Sequence, residues 1–446
     1  MKTRGATSGF DEPSAGGHLS RSVVIVDGIR TPFAKAGGEL QDVPVGDLGR
    51  SAVRELLQRT ALDPETVDEL ILGCVGQPSR CANPARVVAL RAGLPENLPA
   101  HTVARNCASG LEALTEATER ICSGRAAVVI AAGAESMSRY PLLFPLSFGQ
   151  KLAAFSRARN IGEKISAFGS FRLADLKPRI ALLEGLSDPF SGELMGVTAE
   201  RLAREFGIGR EQQDRYALRS HQRAVESREF HAGEIASVAV PPALRRVVNE
   251  DIGPRDGQSM KALAKLKPYF DRKNGSVTVG NSCGITDGAV ALLLMEEQKA
   301  RSLGYTPLGK VLGHGWRGCD PLRMGLGPVH ATPIALAEAG LNLSDISRIE
   351  LNEAFACQVL ACVEAFSSSL YCQELGLSCP VGEVDETQLN VHGGAIALGH
   401  PVGATGARLV LTLLRELREQ GGGLGLATLC IGGGQGGAMV VEGWSG

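Results

Sequence analysis

The chain lacks the features that would assign it to the membrane-spanning or nucleic-acid-binding classes. It contains no run of about 18 apolar residues, so no segment is expected to cross a bilayer as a helix. No signal-peptide pattern occurs near its start. Its 46 Lys and Arg residues nearly balance 48 Asp and Glu residues, giving a net charge of −2. We therefore expect no nucleic acid partner.

The chain also lacks the cysteine spacing that is typical of disulfide frameworks and zinc sites. Its 11 cysteines are an odd number and form no C-x-x-C pair, which argues against a disulfide framework and against a zinc site. Free cysteines are typical of reducing compartments. The sequence predicts a cytoplasmic protein without a metal site.

Glycine, by contrast, is abundant, at 56 of 446 residues. Residues 1–21 are polar and rich in Gly and Ser, and are predicted to form a mobile tail. Beyond them, apolar strand patterns such as VVIVDGIR (23–30) and ELILG (69–73) alternate with amphipathic helical patterns. This alternation predicts an α/β fold with a mainly parallel sheet.

The last third of the chain repeats the element order of the first. The sequence CASG that begins at Cys107 matches HPVG, which begins at His400. AAVVIAAG matches GLGLATLC, so Cys430 corresponds to Gly133, and ELILG matches RIELN, so Asn352 also ends a strand. The repeat predicts two similar α/β units packed face to face.

The predicted halves are separated by an insertion, which gives the expected domain boundaries. Residues 22–139 and 274–304 form the N-terminal half, 140–273 the insertion, and 305–446 the C-terminal half. Open α/β sheets bind ligands beyond the carboxyl ends of their strands. Cys107, Asn352, His400 and Cys430 all lie at such ends or at the helix starts beside them, so they are expected to meet.

Cys107 is the candidate nucleophile. It follows a short strand pattern and precedes a helical one, which places its thiol at a helix N-terminus. Helix N-termini and a nearby His⁺ can lower the pKa of a cysteine thiol from ~8.5 to ~3.5–7.5. The alternative is a small buried apolar residue, as most cysteines are.

The other candidates supply the chemistry that a thiol nucleophile needs. His400 is the expected base, and Gly432, in the Gly-rich turn after Cys430, offers a backbone N–H group to an oxyanion. A thiol poised near neutrality at Cys430 would act as an acid or base on carbon or on an incoming thiol. Asn352 could hold a water or donate to a thioester oxygen. Alternatively, Asn352 is a helix N-cap, His400 caps a turn and Cys430 is a core residue.

The segment 140–186 combines basic residues with phenylalanines. One interpretation is a solvated helical cover over an apolar cleft. The other is a basic amphipathic surface for CoA phosphates, for a partner protein or for an anionic membrane. The residues concerned are Lys151, Arg157, Arg159, Lys164, Arg172, Lys177 and Arg179, with Phe144, Phe148, Phe155, Phe168 and Phe171.

Four motifs, NCASGLEAL, NEAFA, GGAIALGHPVGATGAR and CIGGGQGGA, resemble those of the thiolase family. The resemblance implies two duplicated βαβαβαββ halves in a five-layered αβαβα core, with an inserted loop domain that binds CoA. It implies Cys107 as acyl-thioester nucleophile, His400 as its base and Cys430 as the second acid/base. Asn352 would hold the water of one oxyanion hole with His400, and the backbone N–H groups of Cys107 and Gly432 would form the other.

The insertion and the phrases RTPFAKAGG and KLKPYFDRKNG resemble long-chain thiolases, the β-subunits of trifunctional complexes. This implies a 3-ketoacyl-CoA thiolase of β-oxidation, a homodimer or dimer of dimers with CoA as substrate and no tightly bound cofactor. A hydratase/dehydrogenase α-subunit and a peripheral membrane contact are implied as possible partners. Leu194, Cys283 and His392 depart from the family pattern, so no CoA contacts are assigned. The alternatives are an acetyl-CoA acetyltransferase, a non-catalytic CoA-binding subunit and a cysteine hydrolase.

Overall fold

A computed structural model describes residues 21–445, so the predicted tail lies outside the described residues except for Arg21. The strands are β1 Val23–Arg30, β2 Ala34–Lys35, β3 Glu69–Gly73, β4 Ala100–Val103, β5 Val128–Ser136, β6 Leu142–Leu143, β7 Arg179–Ile180, β8 Val238–Val240, β9 Arg246–Val248, β10 Thr286–Glu296, β11 Gly309–Gly318, β12 Arg348–Leu351, β13 Gly423–Ile431 and β14 Gln435–Gly443. The helices are α1 Val45–Thr60, α2 Pro84–Ala92, α3 Ser109–Cys122, α4 Leu146–Arg157, α5 Ile161–Gly169, α6 Ala181–Gly185, α7 Met195–Glu205, α8 Arg210–Glu226, α9 Arg228–Ala232, α10 Met260–Ala264, α11 Glu297–Ser302, α12 Gly327–Ala339, α13 Ala356–Ser367, α14 Ser369–Glu374, α15 Ala395–Leu398 and α16 Val402–Glu419.

The main sheet has the strand order β12-β13-β14-β11-β1-β10-β5-β3-β4, with β2 paired to β10. Two half-sheets, one from each end of this order, join where β1 pairs with β11. The expectation of a mainly parallel sheet is wrong, because only β3 with β4 and β5, and β12 with β13, run parallel. The short Gly-rich turn between β13 and β14 can only join antiparallel neighbours, and β10 lies antiparallel between β1 and β5.

Helices α3 and α16 pack on each other between the half-sheets, while α1 and α2 cover one outer face and α12 and α13 the other. This gives the five layers αβαβα. The close approach of the central helices depends on glycine, since a Cβ on Gly406 would lie 2.5 Å from the Leu111 nitrogen. Helix α16 is buried over most of its surface, as expected for a helix that contacts both half-sheets. The predicted fold is confirmed.

The two halves are duplicated, but the predicted match of Cys430 with Gly133 is wrong by one residue. Strands β1 and β11 carry equivalent bulges, and the pairings that follow from them set Val129 opposite Gly425 in the repeat. Cys430 therefore corresponds to Ala134. Both strand segments are apolar runs without a polar landmark, so the sequence alone could not fix a one-residue shift.

The elements from β6 to α10 lie between β5 and β10 in the chain. Helices α4 and α5 contain no buried residue. By contrast, α7 and α8 each bury one face and help to form the core of the second half. The exact domain boundaries remain predictions.

Candidate active site

Cys107 lies on a sharp turn between β4 and α3. The preceding residue, Asn106, has φ 45°, in the left-handed region that Asn tolerates better than most residues. Its side-chain Nδ2 donates a hydrogen bond of 2.7 Å to the Gly432 carbonyl oxygen. The turn that presents the thiol is thereby tied to the Gly-rich turn of the second half.

The thiol of Cys107 is held in its neutral form. Burial raises its pKa, while the N–H groups of Gly432 and of Cys107 itself lower it in part, and the charge of Glu135 raises it further. The expectation of a lowered pKa is wrong because the loss of water outweighs the favourable field of the helix N-terminus. The resting thiol therefore needs a base.

His400 lies in the second half of the chain, immediately before Pro401, the N-cap of α16. Its Nδ1 is 2.6 Å from the hydroxyl of Thr405, and that hydroxyl donates to the Pro401 carbonyl. Thr405 therefore accepts a hydrogen bond from Nδ1–H, which leaves Nε2 without a proton. Burial, with the charge of Arg408, lowers the pKa of His400 to about 4, so the imidazole is neutral at pH 7.

Three buried polar atoms at this site have no hydrogen-bond partner within residues 21–445. They are Nε2 of His400 and both side-chain atoms of Asn352. Asn352 is fully buried and its backbone N–H donates to Thr428 on β13. It is not a helix N-cap, since α13 begins at Ala356 and has Phe355 as N-cap. Orphaned buried polar groups cost free energy, so these atoms indicate a site that a ligand or water completes.

Cys430 lies near the end of β13 and is fully buried. Burial raises its pKa well above the usual value, and the charge that Cys107 would carry as a thiolate raises it further. The expectation of a thiol poised near neutrality is wrong, and Cys430 rests as a proton donor. The turn beyond it requires glycine, because Gly433 and Gly434 have φ 92° and 80°, and a Cβ on Gly434 would lie 2.4 Å from the Cys319 carbonyl oxygen.

Two family models match this chain. The family model for the N-terminal domain of thiolase matches residues 23–298, and that for the C-terminal domain matches residues 305–443. The chain belongs to the thiolase family. It is therefore an acyltransferase, as the sequence predicts.

The similar proteins include thiolases with two kinds of name. A 3-ketoacyl-CoA thiolase of Yersinia pestis is 42% identical over 424 residues, which cover 94% of this chain and 96% of that protein. Human mitochondrial 3-ketoacyl-CoA thiolase is 35% identical with a TM-score of 0.82, covering 96% of this chain and all of that one. Another structure of the human enzyme contains CoA. Acetyl-CoA acetyltransferase of Bacillus anthracis is 36% identical with a TM-score of 0.82, covering 95% and 99% of the two chains.

The three residues that depart from the thiolase pattern, Leu194, Cys283 and His392, have different surroundings. Leu194 is the N-cap of α7, and the adjacent Met195 packs against Gly432, its thioether 3.3–3.4 Å from the position of a Cβ there. The thiol of Cys283 is close enough for the charge of Cys107 to raise its pKa. His392 has no free nitrogen for the site, because its ring binds Ser227 and Glu416 and stacks on Phe230.

Three residues that act on the predicted site residues were not predicted from the sequence. Thr405 sets the tautomer of His400. The sequence feature that could have indicated Thr405 is a hydroxyl residue one turn into the helix that follows the GHP motif. Asn106 anchors the Gly-rich turn. The sequence feature that could have indicated this residue is an Asn, which tolerates positive φ, directly before Cys107. Glu135, in the segment GAES, has no sequence signal that separates it from other strand-end acids.

No group of three or more His, Cys, Asp or Glu residues within residues 21–445 could hold a metal ion. No helix within the same range is both long and apolar enough to cross a membrane.

Proposed function

We propose that the protein catalyses the CoA-dependent cleavage of 3-ketoacyl-CoA to acetyl-CoA and a shortened acyl-CoA, in fatty acid β-oxidation. The observation that carries the proposal is that the turn presenting the Cys107 thiol is tied to the turn after Cys430, by the hydrogen bond of 2.7 Å from Asn106 Nδ2 to the Gly432 carbonyl oxygen. The name of the Yersinia relative, 42% identical over nearly the whole chain, supports the same substrate class. Coenzyme A is a substrate here rather than a bound cofactor.

In the first half-reaction, Nε2 of His400 accepts the proton of the Cys107 thiol, and the sulfur attacks C3 of the substrate. The oxyanion on C3 accepts hydrogen bonds from the N–H groups of Cys107 and Gly432. The C2–C3 bond then breaks, giving an acyl-Cys107 thioester and the enolate of acetyl-CoA. The enolate oxygen is stabilised by protonated His400 and a water held by Asn352, and Cys430 donates its proton to C2.

In the second half-reaction, the Cys430 thiolate takes the proton of the incoming CoA thiol. The CoA sulfur attacks the acyl carbon, again with the oxyanion at the N–H groups of Cys107 and Gly432. Cys107 leaves as a thiolate and recovers its proton from His400. Every group returns to its starting state, which agrees with neutral His400 and protonated Cys107 and Cys430 at rest.

The second candidate is acetyl-CoA acetyltransferase, favoured by the similarity to the Bacillus anthracis enzyme. Cleavage rates for 3-ketoacyl-CoA substrates from C4 to C16, each with and without CoA, separate the candidates. We expect CoA-dependent cleavage that extends to long chains. Cleavage limited to C4 would identify the acetyltransferase, steady acyl-CoA hydrolysis without CoA a cysteine hydrolase, and binding without turnover a non-catalytic subunit.

The assembly and location of the protein are part of the proposal. Strand β4 ends the main sheet with one edge unpaired in the described chain, and such an edge can pair with a second copy. We propose a homodimer or a dimer of dimers. The 11 cysteines are an odd number and form no C-x-x-C pair, which supports a reducing compartment and a cytoplasmic location.

The segment 140–186 is proposed to bind an anionic membrane. Its helices α4 and α5 bury no residue, and large apolar side chains project from them, with Ile161 77% and Phe168 72% exposed. The exposure argues against a cover packed on an apolar cleft. Within residues 21–445 the side chains of Arg157, Arg159 and Lys164 form no ion pair, so they remain available to anionic head groups.

A hydratase/dehydrogenase α-subunit is the alternative partner for this segment. Lys151 differs from Arg157, Arg159 and Lys164 because it forms an ion pair within the segment, with its Nζ 2.6 Å from Asp175. Asp175 is buried and also accepts a hydrogen bond from Ser147. Lys151 therefore holds the segment together and is left intact in the test described below.

A further inference from the structure

Glu135 is a fully buried carboxylate near the end of β5, and both of its oxygens are saturated with hydrogen bonds. Oε2 accepts from the backbone N–H groups of Val75, at 3.0 Å, and Gly403, at 3.1 Å. Oε1 accepts from the N–H of Gly76, at 2.9 Å, and from the Tyr140 hydroxyl, at 3.0 Å. Four donors fill the acceptor capacity of an ionised carboxylate.

These donors belong to three parts of the molecule. Gly403 lies in the first turn of α16, three residues after His400. Val75 and Gly76 follow β3. The last residue of β3, Gly73, packs directly on the start of α3, since a Cβ on Gly73 would lie 2.4 Å from the Ser109 carbonyl carbon.

Tyr140 is the first residue of the insertion, and its ring packs on Gly76. One side chain thus joins the helix of the base, the strand end beside the nucleophile's helix, and the root of the insertion.

The carboxylate is a feature of one half only. The strand register that sets Cys430 opposite Ala134 sets Ile431 opposite Glu135. An apolar residue thus fills the equivalent position in the second half. Burial raises the pKa of Glu135, and the four hydrogen bonds lower it in part. Because a buried charge costs free energy, packing alone does not explain why this position holds an acid.

We propose that Glu135 is a positioning residue for His400, which fixes the first turn of α16 against the loop after β3 and, through Tyr140, against the root of the insertion. The positioning role of Glu135 depends on the proposed function only for the kinetic measurements, which require turnover of 3-ketoacyl-CoA. The charge of Glu135 also acts on the Cys107 thiol, and the other titratable groups around that thiol are Cys283, Cys430 and Tyr140.

Three variants test the inference. Glu135→Gln replaces one carboxylate oxygen by an NH₂ group that faces N–H donors, and removes the charge. Tyr140→Phe removes one donor and keeps the charge. Tyr371→Phe is the matched control, because its buried hydroxyl makes a hydrogen bond of the same length, 3.0 Å, to His330, a residue of α12 in an outer layer.

Each variant is measured for thermal stability, for kcat and KM with 3-ketoacyl-CoA and CoA, and for the pH dependence of Cys107 alkylation by iodoacetamide, followed by peptide mass. We expect Glu135→Gln to lose about tenfold or more in kcat with little change in KM, and its alkylation midpoint to move to lower pH. Tyr140→Phe should show a smaller loss in kcat. The control should lose stability alone.

The proposal is overturned if Glu135→Gln loses only stability, as the control does, with kcat and alkylation midpoint unchanged. Should Glu135→Gln fail to fold, an unchanged kcat in Tyr140→Phe overturns it instead. If the wild-type protein cleaves no 3-ketoacyl-CoA, the proposed function fails and Tyr140→Phe decides the inference, because this variant keeps the charge of Glu135. A changed rate of Cys107 alkylation in Tyr140→Phe then supports the positioning role, and an unchanged rate overturns it.

Discussion

The Nδ1 atom of His400 lies 2.6 Å from the hydroxyl oxygen of Thr405, one turn further along the same stretch of chain. The hydroxyl gives its only proton to the carbonyl of Pro401, at 3.0 Å. It must therefore accept from Nδ1–H, and Nε2 carries the free lone pair. A single threonine thus decides which nitrogen of His400 is left free for the proposed reaction.

Thr405→Val keeps the shape of the side chain and removes this acceptor. We expect kcat to fall by about 10²-fold, because the imidazole loses its fixed tautomer and orientation, while KM for CoA changes little. Thr405→Ser restores the hydroxyl and should recover most of the rate. Wild-type kcat in the Val variant would show that Thr405 does not orient His400.

Cys430→Ser tests the second thiol. An alcohol in the same place is a far weaker proton donor and acceptor near neutrality, so we expect turnover to fall by ~10²–10⁴-fold. Formation of the acyl adduct on Cys107 should persist in this variant, measured by mass on a time scale of single turnover. A variant that neither acylates nor binds CoA would assign Cys430 to structure or binding.

The folded state should lose stability in mild acid through His400. Its pKa is about 4 in the protein and 6.5 in the unfolded chain. Between these values the unfolded state binds more protons, so stability rises with pH in that window and falls as pH drops from 6.5 towards 4. His400 contributes about 2 kcal/mol of this loss between pH 7 and pH 5.

Urea denaturation of the wild-type protein and of His400→Gln at pH 7 and pH 5 measures that contribution. Gln does not titrate, so the variant should lose less stability on acidification by about the same amount. Equal losses in the two proteins would contradict a buried neutral imidazole.

Much of the fold could be predicted from the sequence, because strand and helix periodicity survive in a duplicated chain, whereas the roles of the candidate catalytic groups stay predictions. The element order around Cys107 and Cys430 follows directly from apolar runs and Gly-rich turns. The one-residue register of β13 against β5 could not be predicted, since both segments are uniformly apolar. The mixed direction of the sheet was missed because the return of β10 between β1 and β5 is a long-range pairing.

The protonation states could not be predicted from the sequence either. A helix N-terminus lowers the pKa of a thiol, but burial acts in the opposite direction. Only the structure shows that Cys107 is half-buried and Cys430 fully buried, and that burial raises the pKa of both thiols. The same holds for Glu135. Its four donors come from segments far apart in the chain, and no local pattern indicates them.

The membrane proposal is tested by changing the unpaired cations of the segment 140–186. Arg157→Gln, Arg159→Gln and Lys164→Gln combined should weaken co-sedimentation with anionic vesicles, by roughly 1 kcal/mol per residue at low salt, and leave turnover of short substrates intact. The control carries the same change at three exposed arginines elsewhere, Arg54, Arg80 and Arg245.

Vesicles of neutral lipid and a salt titration complete this experiment. Loss of binding to a hydratase/dehydrogenase subunit, with vesicle binding unchanged, would make the protein partner the correct assignment. A large loss on short substrates with unchanged association would instead identify the segment as a substrate cover.

The proposed acyl-enzyme is tested most directly by the mass of the peptide that contains Cys107, after incubation with acyl-CoA in the absence of free CoA. We expect an acyl group on Cys107 alone, discharged on addition of CoA, and a loss of several orders of magnitude in turnover for Cys107→Ser. An acyl group on a different cysteine, or none on any cysteine of a sample that turns over substrate, would contradict it.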